Sequence, residues 1–244
     1  DDNQNVVAGV DLGGGSTKFA LIYEDSGEIL ARHQIYHGDA RSPEEVVRNI
    51  GLGIKTMLDD VGLSVDNLDR VGIGAPGKAT GSHVEGLSNF PTWTEPVPIS
   101  SMVNEQLGGG INLVHTCNDA DAALAGECWI GAAKGSGNVC MFTLGTGVGF
   151  AAISGKKFVK GATGTIEGGH HPLIPLGRSC ACGQTGCMEN YCSGAAIGRR
   201  VLEDMSRAAP LKTDALYDDN IRAAVRANLG CGTDIAFFKD FIRE

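Results

Sequence analysis

Val6-Val7-Ala8-Gly9-Val10-Asp11-Leu12-Gly13-Gly14-Gly15-Ser16-Thr17-Lys18-Phe19-Ala20-Leu21-Ile22-Tyr23 reads as a strand, a glycine turn and a second strand. The first apolar run ends on an acid, and the second closes in the turn Glu24-Asp25-Ser26-Gly27-Glu28. Consecutive glycines let backbone N–H groups approach a polyphosphate with no side chain in the way. The stretch is neither a P-loop nor a dinucleotide fingerprint, because the Gly-Lys-Ser/Thr ending is missing and no helix follows. An ordinary hairpin would carry the same glycines. Asp11 at the strand end favours the phosphate reading, since a carboxylate there can organise a hydrated Mg²⁺.

A second unit of the same form lies about 130 residues further on. Thr143-Leu144-Gly145-Thr146-Gly147 followed by Phe150-Ala151-Ala152-Ile153 stands beside Asp11-Leu12-Gly13-Gly14-Gly15 followed by Phe19-Ala20-Leu21-Ile22. The repetition suggests a duplicated α/β domain with a cleft between its halves, two phosphate turns facing each other across it. The intervening segments agree. Leu30 to Tyr36 reads as a third strand, and Ser42-Pro43-Glu44-Glu45 opens a helix with a capping box and an early proline. Its buried face is Val46, Val47, Ile50, Ile54, Met57 and Leu58, ending near Asp60. Val71 to Ala75 is a buried strand running into Pro76-Gly77, and strands separated by a capped helix indicate an α/β arrangement. Ile111 to His115 is a strand leading through Thr116-Cys117-Asn118 to Asp119, after which Ala120 to Ile130 is helical. An acid at that junction serves either as a helix N-cap or as a general base projecting into a cleft. In the loop Ser88 to Trp93, Asn89 is equally a turn residue or a partner for a sugar hydroxyl. Ser193 caps a helix carrying Ala196, Ile197, Val201, Leu202 and Met205.

Cys180, Cys182 and Cys187 fall within eight positions, interleaved with Gly183 and Gly186, and His170 precedes them by ten. Three thiolates and an imidazole form a closed tetrahedral set suited to structural Zn²⁺. His171 competes with His170 for the ligand role, and spacing does not choose between them. Glu167 and Glu189 bracket the loop, as solvated surface acids or as acceptors in a rigid cradle for a polyol.

Glu167-Gly168-Gly169-His170 with Cys180-Ala181-Cys182-Gly183-Gln184-Thr185-Gly186-Cys187-Met188-Glu189 resembles the zinc signature of the ROK family of sugar kinases and repressors. The resemblance runs along nearly the whole chain. It implies the actin-like ATPase (ribonuclease-H-like) fold, with two similar α/β domains closing on ATP and a sugar, divided here as 1–117 and 118–244. It implies that Asp11, Gly13, Gly14, Gly15, Ser16, Thr17 and Lys18 form the first phosphate motif, and Gly145, Thr146 and Gly147 the second. Asn118 and Asp119 would hold the reacting hydroxyl, with Asp119 as base. Gly77, Asn89, Glu167, His170 and Glu189 would grip the other hydroxyls, and His170, Cys180, Cys182 and Cys187 the zinc. A hexose, foremost glucose, phosphorylated at its 6-hydroxyl by Mg²⁺ and ATP in a cytoplasmic homodimer is the implied activity. N-acetylmannosamine, N-acetylglucosamine or fructose kinases, and non-catalytic sugar-binding or sugar-sensing members, share the same contacts. Three residues depart from the family pattern: Gly15 for Thr, Phe150 for Gly and Asp121 for Asn. The Gly-rich adenosine stretch of the family finds no equivalent in 230–244, so the second domain is expected to be cut short.

Composition sets outer bounds. The chain has 244 residues and a net charge of -9, without a basic patch for a phosphate backbone, which argues against a nucleic-acid partner. A repressor's DNA-binding element is not expected in the five residues before Val6. No apolar run reaches membrane-spanning length, and no signal peptide is visible. Cys117, Cys128, Cys140, Cys192 and Cys231 are isolated and read as buried free thiols of a reducing compartment.

Overall fold

The computed structural model describes residues 5–38, 41–87, 90–110, 114–162 and 164–208. The strands β1 (Val6–Leu12), β2 (Ser16–Tyr23) and β3 (Ile29–Tyr36) form an antiparallel meander, in which Asp11 stands opposite Lys18 and Leu12 opposite Thr17. After the helix α1 (Pro43–Asp60), β4 (Leu68–Ala75) pairs parallel with β1. A short ribbon, β5 (Lys78–Ala79) with β6 (Val84–Glu85), precedes α2 (Ile99–Gln106) and β7 (Val114–Asn118), which pairs parallel with β4. The resulting sheet has the order β3-β2-β1-β4-β7. The helix α3 (Asp119–Trp129) leads to β8 (Val139–Leu144), β9 (Val148–Ser154) and β10 (Lys157–Phe158), a sheet of order β10-β9-β8. Two further helices close the described chain, α4 (Glu189–Cys192) and α5 (Gly194–Ala208), with the Ser193 hydroxyl accepting from Ala196 N at 3.1 Å.

α1 forms where its local signals say. Ser42 Oγ accepts from Glu45 N at 3.3 Å, and Glu45 Oε2 accepts from Ser42 N at 3.4 Å, satisfying two otherwise orphaned donors. All six apolar residues expected on its inner face are buried, as are Gly51 and Gly53. A Cβ on Gly53 would lie 2.6 Å from the Phe19 ring of β2, so glycine is what lets the helix settle onto the sheet. The core below continues through Ile73, Phe90, Trp93 and Ile99. α2, which no periodicity announced, covers this core with Ile99 and Val103.

The chain forms two compact units, Asp1–Met141 with Ala151–Ile166, and Phe142–Phe150 with Glu167–Glu244. A division after residue 117 would fall inside the first of these, because α3 packs back on the sheet. A Cβ on Gly74 of β4 would lie 3.1 Å from the Ala122 Cβ. Of the five cysteines expected to be buried, Cys140 is exposed on β8, Cys117, Cys128 and Cys192 are half-buried, and Cys231 lies outside the described residues. The Cys140 expectation fails because β8 alternates half-buried and exposed positions, and residue 140 has the outward parity.

Candidate functional site

In the first unit, Gly13 N–H donates to Ser16 O at 3.0 Å and closes the glycine turn, while His37 N–H donates to Gly15 O at 3.1 Å. Asp11 and Lys18, cross-strand neighbours, form an ion pair of 3.6 Å with both side chains more than half exposed. In that geometry both charged groups stay within reach of solvent and of a solvated ligand. Ser16 Oγ accepts from Gln34 Nε2 at 2.9 Å. Thr17 departs from the expected phosphate set. The strand alternation of β2 turns its side chain into the core, where Oγ1 lies 3.2 Å from His37 Nε2. Its hydroxyl therefore faces away from the turn's outer surface.

At the end of β7, Asn118 is the N-cap of α3. Its Oδ1 accepts from Ala120 N at 3.0 Å and from Asp121 N at 3.3 Å, and its Nδ2 donates to Gly77 O at 3.0 Å. The capping role weighed for Asp119 thus belongs to its neighbour. Asp119 is the first helical residue, with Oδ1 accepting from Ala120 N at 2.8 Å, and its carboxylate sits at the positive end of the helix dipole. Gly77 has a φ of 74°, and a Cβ there would approach Glu85 O to 2.7 Å, so the turn that Asn118 holds requires glycine. Asp121 is buried and ion-paired with Lys160, a partner that the sequence did not disclose. Burial pushes the Cys117 thiol up, Asp121 adding to the effect and Lys160 opposing it. Asn89 lies outside the described residues.

In the second unit, Gly145 N–H donates to Gly147 O at 3.0 Å, and Gly194 N–H donates to Gly145 O at 2.8 Å. Val148 N–H donates to Glu189 Oε2 at 2.9 Å, and that oxygen lies directly against Gly147. Glu189 therefore braces the second glycine turn, a role its place in the cysteine motif gave no hint of. Phe150, where the family pattern has glycine, packs on Phe142 at 4.8 Å between ring centroids, and bare Gly168 makes room for it.

The ligand atoms of His170, Cys180, Cys182 and Cys187 all lie within 4.8 Å of one another. Cys182 Sγ and Cys187 Sγ are 3.7 Å apart, and Cys180 Sγ is 3.4 Å from His170 Nδ1. A tetrahedral ion with Zn–S of about 2.3 Å demands S···S edges of roughly 3.8 Å, whereas a disulfide would bring two sulfurs to about 2 Å. The cluster has the spacing of a metal cage. His170, rather than His171, brings its ring to the sulfurs, and it does so through Nδ1. The cage is shaped by the backbone: Cys180 N–H donates to Gln184 O at 2.8 Å, Gly183 N–H to Cys180 O at 3.0 Å, and Met188 N–H to His171 O at 3.0 Å. Glu167 opens the one-turn helix Gly168–His170, its carbonyl accepting from His170 N at 3.0 Å.

The ROK family model matches residues 7–232. A glucokinase of Thermotoga maritima is 34% identical over 198 residues, 80% of this chain and 59% of its own length. A glucokinase of Streptomyces coelicolor is 32% identical over 96% of this chain and 74% of its own length. An N-acetylmannosamine kinase of Vibrio cholerae is 30% identical over 77% of this chain and 62% of its own. The chain thus spans roughly three fifths to three quarters of these relatives. Among solved structures, a ROK family glucokinase from Streptomyces griseus, in complex with glucose and AMPPNP, superposes with a TM-score of 0.69 at 31% identity. It covers 84% of this chain and 62% of its own. The shared fold is that of the actin-like ATPases. With the matched stretch reaching from β1 past α5, the chain belongs to the ROK family.

Proposed function

We propose that the chain carries ATP-dependent hexose kinase activity, transferring phosphate to the 6-hydroxyl of glucose. The observation that supports this most is the junction of β7 and α3. There Asn118 caps the helix and holds the Gly77 turn, and of the two first-turn acids Asp121 is buried in its pair with Lys160, while the Asp119 carboxylate is the exposed one. In this reading Asp119 accepts the proton of the sugar hydroxyl as its oxygen attacks the γ-phosphorus. The bond from that phosphorus to the bridging oxygen breaks, and ADP leaves with the electron pair. Backbone N–H groups of Gly14 and Gly15 and of Thr146 and Gly147 donate to phosphate oxygens, while those of Gly13 and Gly145 close their own turns, and Lys18 adds charge. Mg²⁺, when bound, neutralises the phosphates, and Asp11 is the residue that would hold its water shell. The remaining hydroxyls are assigned to Gly77, Asn89, Glu167, His170 and Glu189, the last through Oε1 because Oε2 holds Val148. Zn²⁺ is assigned to Cys180, Cys182, Cys187 and His170 Nδ1, which leaves His170 Nε2 for the sugar. A homodimer and a cytoplasmic setting complete the reading, the latter fitting the free cysteines among the described residues.

The test is ADP release with Mg·ATP over glucose, fructose, mannose, N-acetylglucosamine and N-acetylmannosamine, with Asp119→Asn as control. Turnover on glucose that falls at least about a hundredfold in the variant is expected, the usual scale for loss of a general base. Silence on every sugar would overturn the kinase reading. Preference for N-acetylmannosamine would favour the second reading, which rests on the Vibrio cholerae relative.

A further inference from the structure

His37 follows the last residue of β3 and is 4% exposed. Besides its backbone bond to Gly15 O, its ring Nε2 lies 3.1 Å from Gly13 O and 3.2 Å from Thr17 Oγ1. A carbonyl oxygen only accepts, so the ring proton belongs on Nε2 and the lone pair on Nδ1. Nδ1 has no hydrogen-bond partner among the described residues, and the Phe90 ring stands edge-on to the imidazole at 5.5 Å. Protonating Nδ1 would bury a second donor with no acceptor for it among the described residues. Burial accordingly holds the imidazole below its ordinary range, the bond to Gly13 working against the shift and Arg41 adding to it. The ring is neutral, a single donor directed at the glycine turn.

That bond has a consequence for the turn's outer face. In a trans peptide the C=O and the following N–H point in opposite directions, and the described chain contains no cis bond. Drawing the Gly13 carbonyl toward buried His37 therefore aims the Gly14 N–H away from the core. Gly13, Gly14 and Gly15 have no side chains of their own to restrain this stretch, and a run of glycines is the most mobile backbone available. The two bonds from His37, ring to Gly13 O and backbone to Gly15 O, clasp the turn at both ends. We infer that His37 is a positioning residue for nucleotide binding: it orders the first glycine turn so that the Gly14 N–H is presented to a phosphate oxygen. The inference rests on the kinase reading above for the identity of the ligand, but not for the ordering of the turn.

The experiment compares His37→Phe, His37→Asn and His37→Gln. Glutamine places an N–H where Nε2 stands, phenylalanine has none, and asparagine is too short to reach Gly13 O. Binding of Mg·AMPPNP and of glucose is titrated separately, and hydrogen exchange is followed in the peptide covering residues 12–17. His37→Phe and His37→Asn are expected to weaken the nucleotide about tenfold, the scale of one lost hydrogen bond, with glucose changed less than about twofold. Exchange in 12–17 should rise in both, and His37→Gln should stay within about threefold of the parent for nucleotide. A histidine that merely fills the core would instead weaken both ligands together or neither, and either pattern overturns the inference. If His37→Phe does not fold, equal nucleotide affinity in His37→Asn and His37→Gln overturns it. If the parent chain does not bind Mg·AMPPNP, the kinase reading fails. Exchange in 12–17 then decides the ordering role alone, and exchange no faster in His37→Asn than in His37→Gln sinks it.

Discussion

Asp121 stands where the family pattern has asparagine, and the structure supplies the compensation: its carboxylate, with the residue 8% exposed, is ion-paired with Lys160 of the segment after β10. Lys160→Met should leave that carboxylate unpaired. Breaking a fully buried pair costs about 3–5 kcal/mol. The Lys160 side chain is 41% exposed, so screening reduces the loss. The dipole of α3 also stabilises an acid in its first turn by about 0.3–1 kcal/mol. The expected destabilisation is therefore about 1–2 kcal/mol, or a fall in Tm of roughly 2–8 °C for a chain of this size. Lys160 also lies 5.4 Å from the centroid of the Phe158 ring, a contact that methionine removes as well. Only a double-mutant cycle with Asp121→Asn isolates the pair. In urea unfolding, Asp121→Asn should make Lys160→Met nearly harmless, with a coupling of at least about 1 kcal/mol. Additive losses, with coupling below about 0.3 kcal/mol, would refute the pair as the compensation for the acidic residue.

His37 predicts a pH dependence of stability. Its folded pKa is lowered from 6.5, so between the folded value and 6.5 the unfolded chain binds more protons, and stability falls as pH drops below about 6.5. Urea midpoints at pH 7.5 and 5.5 should separate further in the parent than in His37→Gln; equal separation would contradict the assignment. Gly53→Ala places a methyl 2.6 Å from the Phe19 ring, and overpacking of about 1–3 kcal/mol should outweigh the gain of about 1 kcal/mol in helix propensity. Thermal melts should show a lower Tm, relieved by Phe19→Leu; a stabilised Gly53→Ala would mean that α1 simply shifts. Metal analysis of the purified chain should find about one zinc per molecule, and Cys182→Ser should lose it. Retention of a full equivalent in that variant would remove Cys182 from the ligand set.

What was legible in the sequence is what short-range chemistry determines. The buried face of α1 follows from a 3.6-residue period after a capping box, and each signal lies within one helical turn of the residue it governs. The cluster of Cys180, Cys182 and Cys187 was legible because three cysteines in eight positions leave few other arrangements, whereas spacing did not choose His170 over His171. The inward parity of Thr17 was readable too: it shares a buried face with Phe19 and Leu21, so alternation alone turns its hydroxyl into the core. The braces of the site were not legible in this way. His37 reaches Gly13 across 24 residues, Lys160 reaches Asp121 across 39, and Glu189 reaches Val148 across 41. Such pairs depend on strand register and loop path, which no window of local pattern contains. α2 escaped notice for a related reason, since its N-cap is Pro98 with no side-chain bond and its eight residues span barely two turns.

A metal held by the Cys/His cluster would bear on how the second unit is stabilised. Among its described residues, Val148, Cys187 and Ala196 are the buried apolar side chains, against more than twenty in the core of the first unit. Among the described residues these groups supply only a few kcal/mol of hydrophobic stabilisation. A structural zinc contributes about 10–16 kcal/mol of apparent binding free energy, and where the site exists only when folded this is folding free energy. The loop that the metal would order is the same one that ends in Glu189, whose carboxylate holds Val148 N–H against the second glycine turn. With a metal bound, metal, loop and turn would form one mechanical chain. Chelation should therefore loosen the Gly145-Thr146-Gly147 turn before it touches the first sheet, a sequence of events that hydrogen exchange along the chain would report directly.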